Sequence, residues 1–229
     1  MARVGHPYDI DNDTLLDWCY TDKPGANGKE CLRPMSYTRD LNALERQLHD
    51  LPAVTFEESA AYLAQLLRNP VFMTQLVPCL SQVNCAPEPY IPLSYGSRER
   101  STCLQVFVWS AGATTAIHDH TSWGAYHCVV GSLVEQRYAR LDNGMQPSIA
   151  RLRQQWERAW CYKDGASMVQ AYEHGIHRVA NRGVHLAISV HLYGPRTGVF
   201  DGRDYDPRRD FVCDRLEFDQ SSPPFPITV

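Results

Sequence analysis

The chain has 229 residues, of which 44% are hydrophobic and 21% charged, and its formal net charge is −4. That length supports one domain with a substantial core. The negative balance argues against nucleic acid or an anionic membrane as partner, because both select a basic face.

Met1 to Tyr8 hold no apolar run of the kind a signal peptide needs. No segment approaches the roughly 18 apolar residues of a membrane span, so a soluble, cytoplasmic chain is expected. The cysteines (Cys19, Cys31, Cys79, Cys85, Cys103, Cys128, Cys161 and Cys213) are scattered and include no CxxC pair. Free, mostly buried thiols are expected rather than disulfides or a zinc cluster.

In chain order, residues 1–37 show little periodicity, apart from a short helix expected at 13–18. A helix is expected over 38–50, where Leu41, Leu44 and Leu48 share a face. Thr55-Phe56-Glu57-Glu58 has the form of a capping box, and Ala60, Leu63, Ala64 and Leu67 then line one stripe. A third helix opens at Asn69-Pro70 and runs to about Leu80.

Beyond Pro87, Pro89 and Pro92 the pattern changes to short runs rich in Val, Ile, Tyr and Trp. Strands are expected at 103–109, 114–120, 124–130, 132–140, 159–162, 167–172, 176–181 and 184–193. Asp142-Asn143-Gly144 and Asn181-Arg182-Gly183 read as hairpin turns. Helices followed by many strands indicate a mainly β chain, a barrel or double-sheet jelly roll with an N-terminal helical cap. The expected division of the single domain 1–229 is a mainly helical cap at 1–89, a barrel at 90–203 and an irregular C-terminal arm at 204–229.

Two stretches carry chemistry. In Gly112 to Gly124, His118 and His120 lie two apart, so a strand sends both imidazoles to one face and Asp119 to the other. In Leu186 to Tyr193, the apolar Leu186, Ile188, Val190 and Leu192 alternate with Ser189, His191 and Tyr193. Three polar groups in a row opposite an apolar face need one another as partners. A relay fits, in which Ser189 orients His191 and His191 bonds the Tyr193 hydroxyl; a buried polar ladder without catalysis is the alternative. No nucleophile elbow accompanies the serine, which weighs against a hydrolase triad.

The Gly112 stretch resembles the first signature of the cupin family, Gly-x5-His-x-His-x3,4-Glu-x6-Gly, with Gly131 closing it and Gly124 standing where the family has Glu. Gly165 to Asn181 resembles the second signature through His177-x3-Asn181, with Ala171 and Glu173 replacing its Pro and Gly. The resemblance implies a cupin-type double-stranded β-helix barrel and a metal held by His118, His120 and His177. Three neutral imidazoles leave a divalent ion its full charge, which suits an anionic substrate. Ligand type alone does not select iron, and zinc chemistry is open on the ligands alone.

His118-Asp119-His120-Thr121, His177-Arg178-Val179 and Ser189-Val190-His191-Leu192-Tyr193 together are similar to the thiol dioxygenases of the cysteine dioxygenase type. The similarity implies Fe(II), a small thiol and O2 as substrates, a sulfinate product, and Ser189, His191 and Tyr193 as the relay. With Gly124 where the animal enzymes have their crosslinking cysteine, no cysteine–tyrosine crosslink is expected, and His118-Asp119-His120-Thr121-Ser122-Trp123-Gly124 is closer to the bacterial members, including 3-mercaptopropionate dioxygenases. No arginine lies in Tyr90–Tyr95, where the cysteine enzymes hold the substrate carboxylate. In the mercaptopropionate-type enzymes an arginine shortly after the tyrosine serves instead, and that resemblance implies Arg203 and Arg196 as candidates for the role; Trp123 is a candidate for the pocket wall. The alternatives are another metal-dependent cupin enzyme, such as a ring-cleaving dioxygenase, isomerase or lyase, and a non-catalytic cupin that binds a small ligand. The thiol and the oligomeric state are left open.

Overall fold

The computed structural model describes residues 44, 46–48, 51–81, 87–96, 101–197 and 200–216. Leu41, the 13–18 helix and residues 217–229 lie outside the described residues. Leu44 and Leu48 are helical and buried, as their spacing predicts.

Helix α1 (Phe56–Leu66) begins at the expected box. Glu58 N–H donates to Thr55 Oγ1, and Thr55 N–H donates to Glu58 Oε2 at 3.0 Å. Helix α2 (Pro70–Leu76) begins at Asn69, whose side chain accepts from Val71 N and Phe72 N. It then tightens into a 3-10 turn over Val77–Ser81. Pro78 has no N–H with which to continue an α-helical ladder.

The strands are β1 (Tyr90–Gly96), β2 (Cys103–Trp109), β3 (Ile117–His118), β4 (Gly124–Val130), β5 (Ser132–Arg140), β6 (Leu152–Cys161), β7 (Ala166–Val169), β8 (His177–Ala180), β9 (Ala187–Tyr193), β10 (Phe200–Asp206) and β11 (Phe211–Leu216). They form a five-stranded sheet ordered β1-β2-β9-β4-β7 and a six-stranded sheet ordered β11-β10-β3-β8-β5-β6. The pairings between these strands are antiparallel. The result is a double-sheet jelly roll.

The helices cover the outer face of the five-stranded sheet. Leu63, Leu66, Phe72 and Leu76 share one cluster with Leu104, Val106, Val108, Ala125, Val129, Ile188, Val190 and Leu192. Each such aliphatic side chain contributes about 1.5–3 kcal/mol when taken fully from water. The opposite face of the same strands carries Phe107, Trp109, Tyr126 and Cys128 into a second cluster with Leu133, Trp160 and Val179.

Several expectations need correction. Residues 204–229 are not wholly an irregular arm, because β10 continues to Asp206 and β11 adds a further strand to Leu216. Strand β6 starts at Leu152 rather than 159; most of it is exposed, so it lacks the alternation that marks a half-buried strand. The 114–120 strand shrinks to Ile117–His118. Beyond them Asp119 N bonds Arg203 O, and His120 O accepts from Tyr172 N. Asn181-Arg182-Gly183 is a crossing between sheets rather than a hairpin, since β8 and β9 lie in different sheets. The Asn181 side chain makes that crossing, donating to the Trp109, Ser110 and His185 carbonyls at 2.9, 3.1 and 2.8 Å.

Candidate metal centre

Register brings the histidines together. His118 lies directly opposite His177 across the β3–β8 pair, and His120 follows two residues after His118. One ligand nitrogen from each residue lies within 4.8 Å of the others, and all three residues are buried. His120 Nε2 and His177 Nε2 are 3.3 Å apart.

Second partners decide which nitrogens face inward. His118 Nδ1–H donates to the Ala116 carbonyl at 3.0 Å. His177 Nδ1–H donates to Glu135 Oε1 at 2.9 Å. Both protons are therefore on Nδ1, and both Nε2 atoms are left as lone pairs, the form a metal requires. Burial, then the charges of His177 and Arg215, pushes His118 well below its ordinary range. Burial likewise lowers His177, against the opposing pull of Glu135. Neutral imidazoles converging from three positions fit a divalent cation.

Glu135, on β5, is a residue the sequence reading passed over. It is fully buried and accepts from His177, from Arg137 Nε at 2.7 Å, from Ser167 Oγ at 2.6 Å and from Tyr126 OH at 3.4 Å. Burial would raise its pKa, but His177, Arg137 and Ser167 hold it down to about 2. So a carboxylate does stand at this centre, one imidazole further out than the family's Glu position. The signal for it was Glu135 and Arg137 two apart on the same face as Leu133 in the expected 132–140 strand.

Asp119 points away, as the alternation predicts. It is fully buried and accepts from Arg203 N, Nε and Nη2 at 2.7, 2.9 and 2.6 Å and from Tyr205 OH at 2.7 Å. These bonds tie β10 to the histidine strand. Gly202 allows the close approach, since a Cβ there would sit 2.2 Å from the Asp119 carbonyl.

On β9, Ser189 Oγ lies 2.7 Å from His191 Nε2, and His191 Nδ1 lies 3.0 Å from Tyr193 OH. The His191 ring is stacked on Tyr126 at 5.0 Å and meets Phe107 at 4.4 Å. Burial in this aromatic box lowers its pKa to about 3. The Tyr193 ring lies 5.2 Å from the His120 ring, so the polar row ends beside the ligand cluster. Gly124 is paired with Tyr193, and a Cβ at 124 would lie 3.2 Å from the phenol ring.

The remaining candidates fall elsewhere. The Arg203 guanidinium is engaged with Asp119 and Glu173, on the face opposite the ligand nitrogens. Trp123 packs with the helix-side cluster, near Phe56 and against Gly194. Arg196 is half-buried in the segment after β9. Two other arginines share the histidine face. Arg137 is paired in register with His177 but gives its donors to Glu135, Ser167 and Met168. Arg215 lies across from Gly202, two residues from the Asp204 that opposes His118. It donates to Asp204 Oδ1 at 2.9 Å and to the Asp119 carbonyl at 2.8 Å.

A sequence profile of the family described as cysteine dioxygenase type I matches residues 99–206, a little under half of the chain. The matched stretch holds all three histidines and the polar row of β9. Among solved structures, a protein of Thermus thermophilus aligns with a TM-score of 0.38 at 17% identity, covering 53% of this chain and 95% of its own. A cupin superfamily protein of Desulfitobacterium hafniense DCB-2 gives 0.34 at 16%, covering 51% and 87%. An oxalate oxidase in complex with the substrate analogue glycolate gives 0.33 at 16%, covering 42% and 43%, so this chain spans less than half of that one. Among the described residues no helix is long and apolar enough to cross a membrane.

Proposed function

We propose that the chain is an iron(II)-dependent dioxygenase of a small thiol. The reaction converts RSH and O2 to RSO2− and H+: two sulfur–oxygen bonds form, the O–O bond breaks, and sulfur gives up four electrons. The observation that carries this reading is the three-histidine cluster beside Tyr193, inside the stretch that matches the cysteine dioxygenase profile.

His118, His120 and His177 would hold the ion. A ferrous ion held there would supply affinity for a thiolate and the redox chemistry that dioxygen requires. The rest falls to the protein. Glu135 keeps the His177 proton on Nδ1 and fixes its ring. Ala116 does the same for His118 through its carbonyl. Ser189 and His191 hold the Tyr193 hydroxyl beside the ligands, where it hydrogen-bonds the substrate or the reacting oxygen. The aromatic walls around His191 exclude water from the relay.

For the charged end of the thiol, Arg203 is already paired with Asp119 and Arg196 lies in the segment after β9. Arg215 and Asp204 place one positive and one negative charge on the histidine face.

The test is O2 uptake by anaerobically iron-loaded protein with cysteine, 3-mercaptopropionate and cysteamine, followed by mass analysis of the product from 18O2. Both labelled atoms should appear in one sulfinate. No uptake with any thiol would sink the proposal, and full iron occupancy in a His118→Ala variant would sink the ligand assignment.

A further inference from the structure

Trp109 closes β2 and has no part in the chemistry proposed above, yet it touches the relay. Its side chain is 1% exposed, and its Nε1–H donates to Ser189 Oγ at 2.8 Å. Its main-chain carbonyl is held by Asn181 at 2.9 Å, and its ring lies stacked toward His191 at 6.4 Å.

We propose that Trp109 is a positioning residue that sets the direction of hydrogen bonding along Ser189, His191 and Tyr193, so that the tyrosine oxygen accepts from the histidine. The inference rests on the relay reading only for its consequence in turnover; the direction itself follows from donor chemistry. An indole N–H can donate and cannot accept. Ser189 therefore cannot turn its proton toward Trp109. Ser189 is fully buried, and among the described residues the acceptor left to its hydroxyl is His191 Nε2 at 2.7 Å. The alternative has His191 donating to Ser189 and strands a buried hydroxyl proton without an acceptor.

Once Nε2 accepts, the neutral ring carries its proton on Nδ1. That proton reaches Tyr193 Oη at 3.0 Å, and the tyrosine oxygen is the acceptor. Tyr193 thus keeps its own proton for a partner other than His191, with its ring beside His120. If the direction were reversed, the tyrosine would give its proton to His191 and could offer the ligand cluster only a lone pair. Replacing the Trp109 N–H with anything that accepts, or that admits water, makes both directions available.

The experiment uses full-length, metal-free protein labelled with 15N-histidine. Long-range nitrogen–proton correlation separates the two imidazole tautomers, and a His191→Asn spectrum assigns the signal. Wild type should show His191 with its proton on Nδ1 alone. Replacing Trp109 with glutamine, whose amide oxygen accepts from Ser189, should give a mixture of tautomers, whereas 3-benzothienylalanine, which keeps the ring shape and offers neither donor nor acceptor, should leave the His191 proton on Nδ1. In the iron-loaded Trp109→Gln protein kcat should fall about tenfold or more with KM little changed. A wild-type Nε2–H tautomer, or an unchanged tautomer in Trp109→Gln, would overturn the proposal. A role in packing alone would lower the melting temperature of Trp109→Gln and leave its tautomer untouched. Because the tautomer is read without metal or thiol, absence of thiol turnover would count against the dioxygenase reading and not against this one.

Discussion

The two faces of β9 are made from one seven-residue run, and every residue in it is buried. On the helix side, Ile188, Val190 and Leu192 pack into the hydrophobic cluster. On the barrel side, Ser189, His191 and Tyr193 meet hydrogen-bond partners at 2.7–3.0 Å. Burial therefore acts differently on the two faces. The first gains from apolar area and tolerates small shifts. The second holds only while each polar group keeps its partner, because an unpaired polar group in a low-dielectric interior is costly. Across the five-stranded sheet the helix-packed core lies on the outer face and the proposed chemistry on the inner one.

The largest effect is expected where the polar side extends to Glu135. Glu135→Ala removes the counter-charge of buried Arg137 and the acceptor of His177. It should cost about 3–5 kcal/mol in urea denaturation and weaken iron binding roughly tenfold to a hundredfold. A variant of wild-type stability that still loads iron normally would mean that the polar side does not depend on complete pairing.

On the apolar side, Leu192→Ala should cost about 2–5 kcal/mol through the cavity left under the helices. Iron content and turnover per folded molecule should stay as they are. Loss of turnover at temperatures where the variant remains folded would show that the two faces are not separable.

A more gradual effect is expected from acid. His191 falls from an ordinary imidazole range to about 3, so below about pH 6.5 the unfolded chain takes up a proton that the folded one does not. Stability should decline as pH falls from about 6.5 toward 3, and not as pH rises. Glu135, held at about 2, adds a loss below the ordinary carboxylate range. His191→Phe should flatten the upper part of that limb in melting curves taken across pH. A limb of unchanged slope would mean that His191 is protonated inside the barrel.

Much of this was legible in the chain because it is periodic or local. The capping box at Thr55 and Glu58 spans three residues, and α1 forms where it predicts. The polar row of β9 alternates at the strand period, and the structure keeps all three groups on one face. The expected histidines also converge, His118 with His120 by spacing and His177 by its place in a Gly-framed signature. Strands β10 and β11 escaped notice because Asp, Arg and Gly dominate Asp201 to Asp214, and their pairing rather than their composition makes them strands.

The sequence by itself determined which residues could be ligands, which face of β9 is polar, and that helices precede a barrel. The polar face and the helices follow from periods of 2 and 3.6, which act between near neighbours; the ligand set follows from the resemblance to two Gly-framed signatures. Only the tertiary structure decided where each polar group finds its partner. Glu135 reaches His177 from 42 residues away, Arg203 is drawn to Asp119 from 84, and Trp109 meets Ser189 from 80. A hydrogen bond depends on a fraction of an ångström across strands, and no local pattern in the chain sets that distance; the register of the two sheets does.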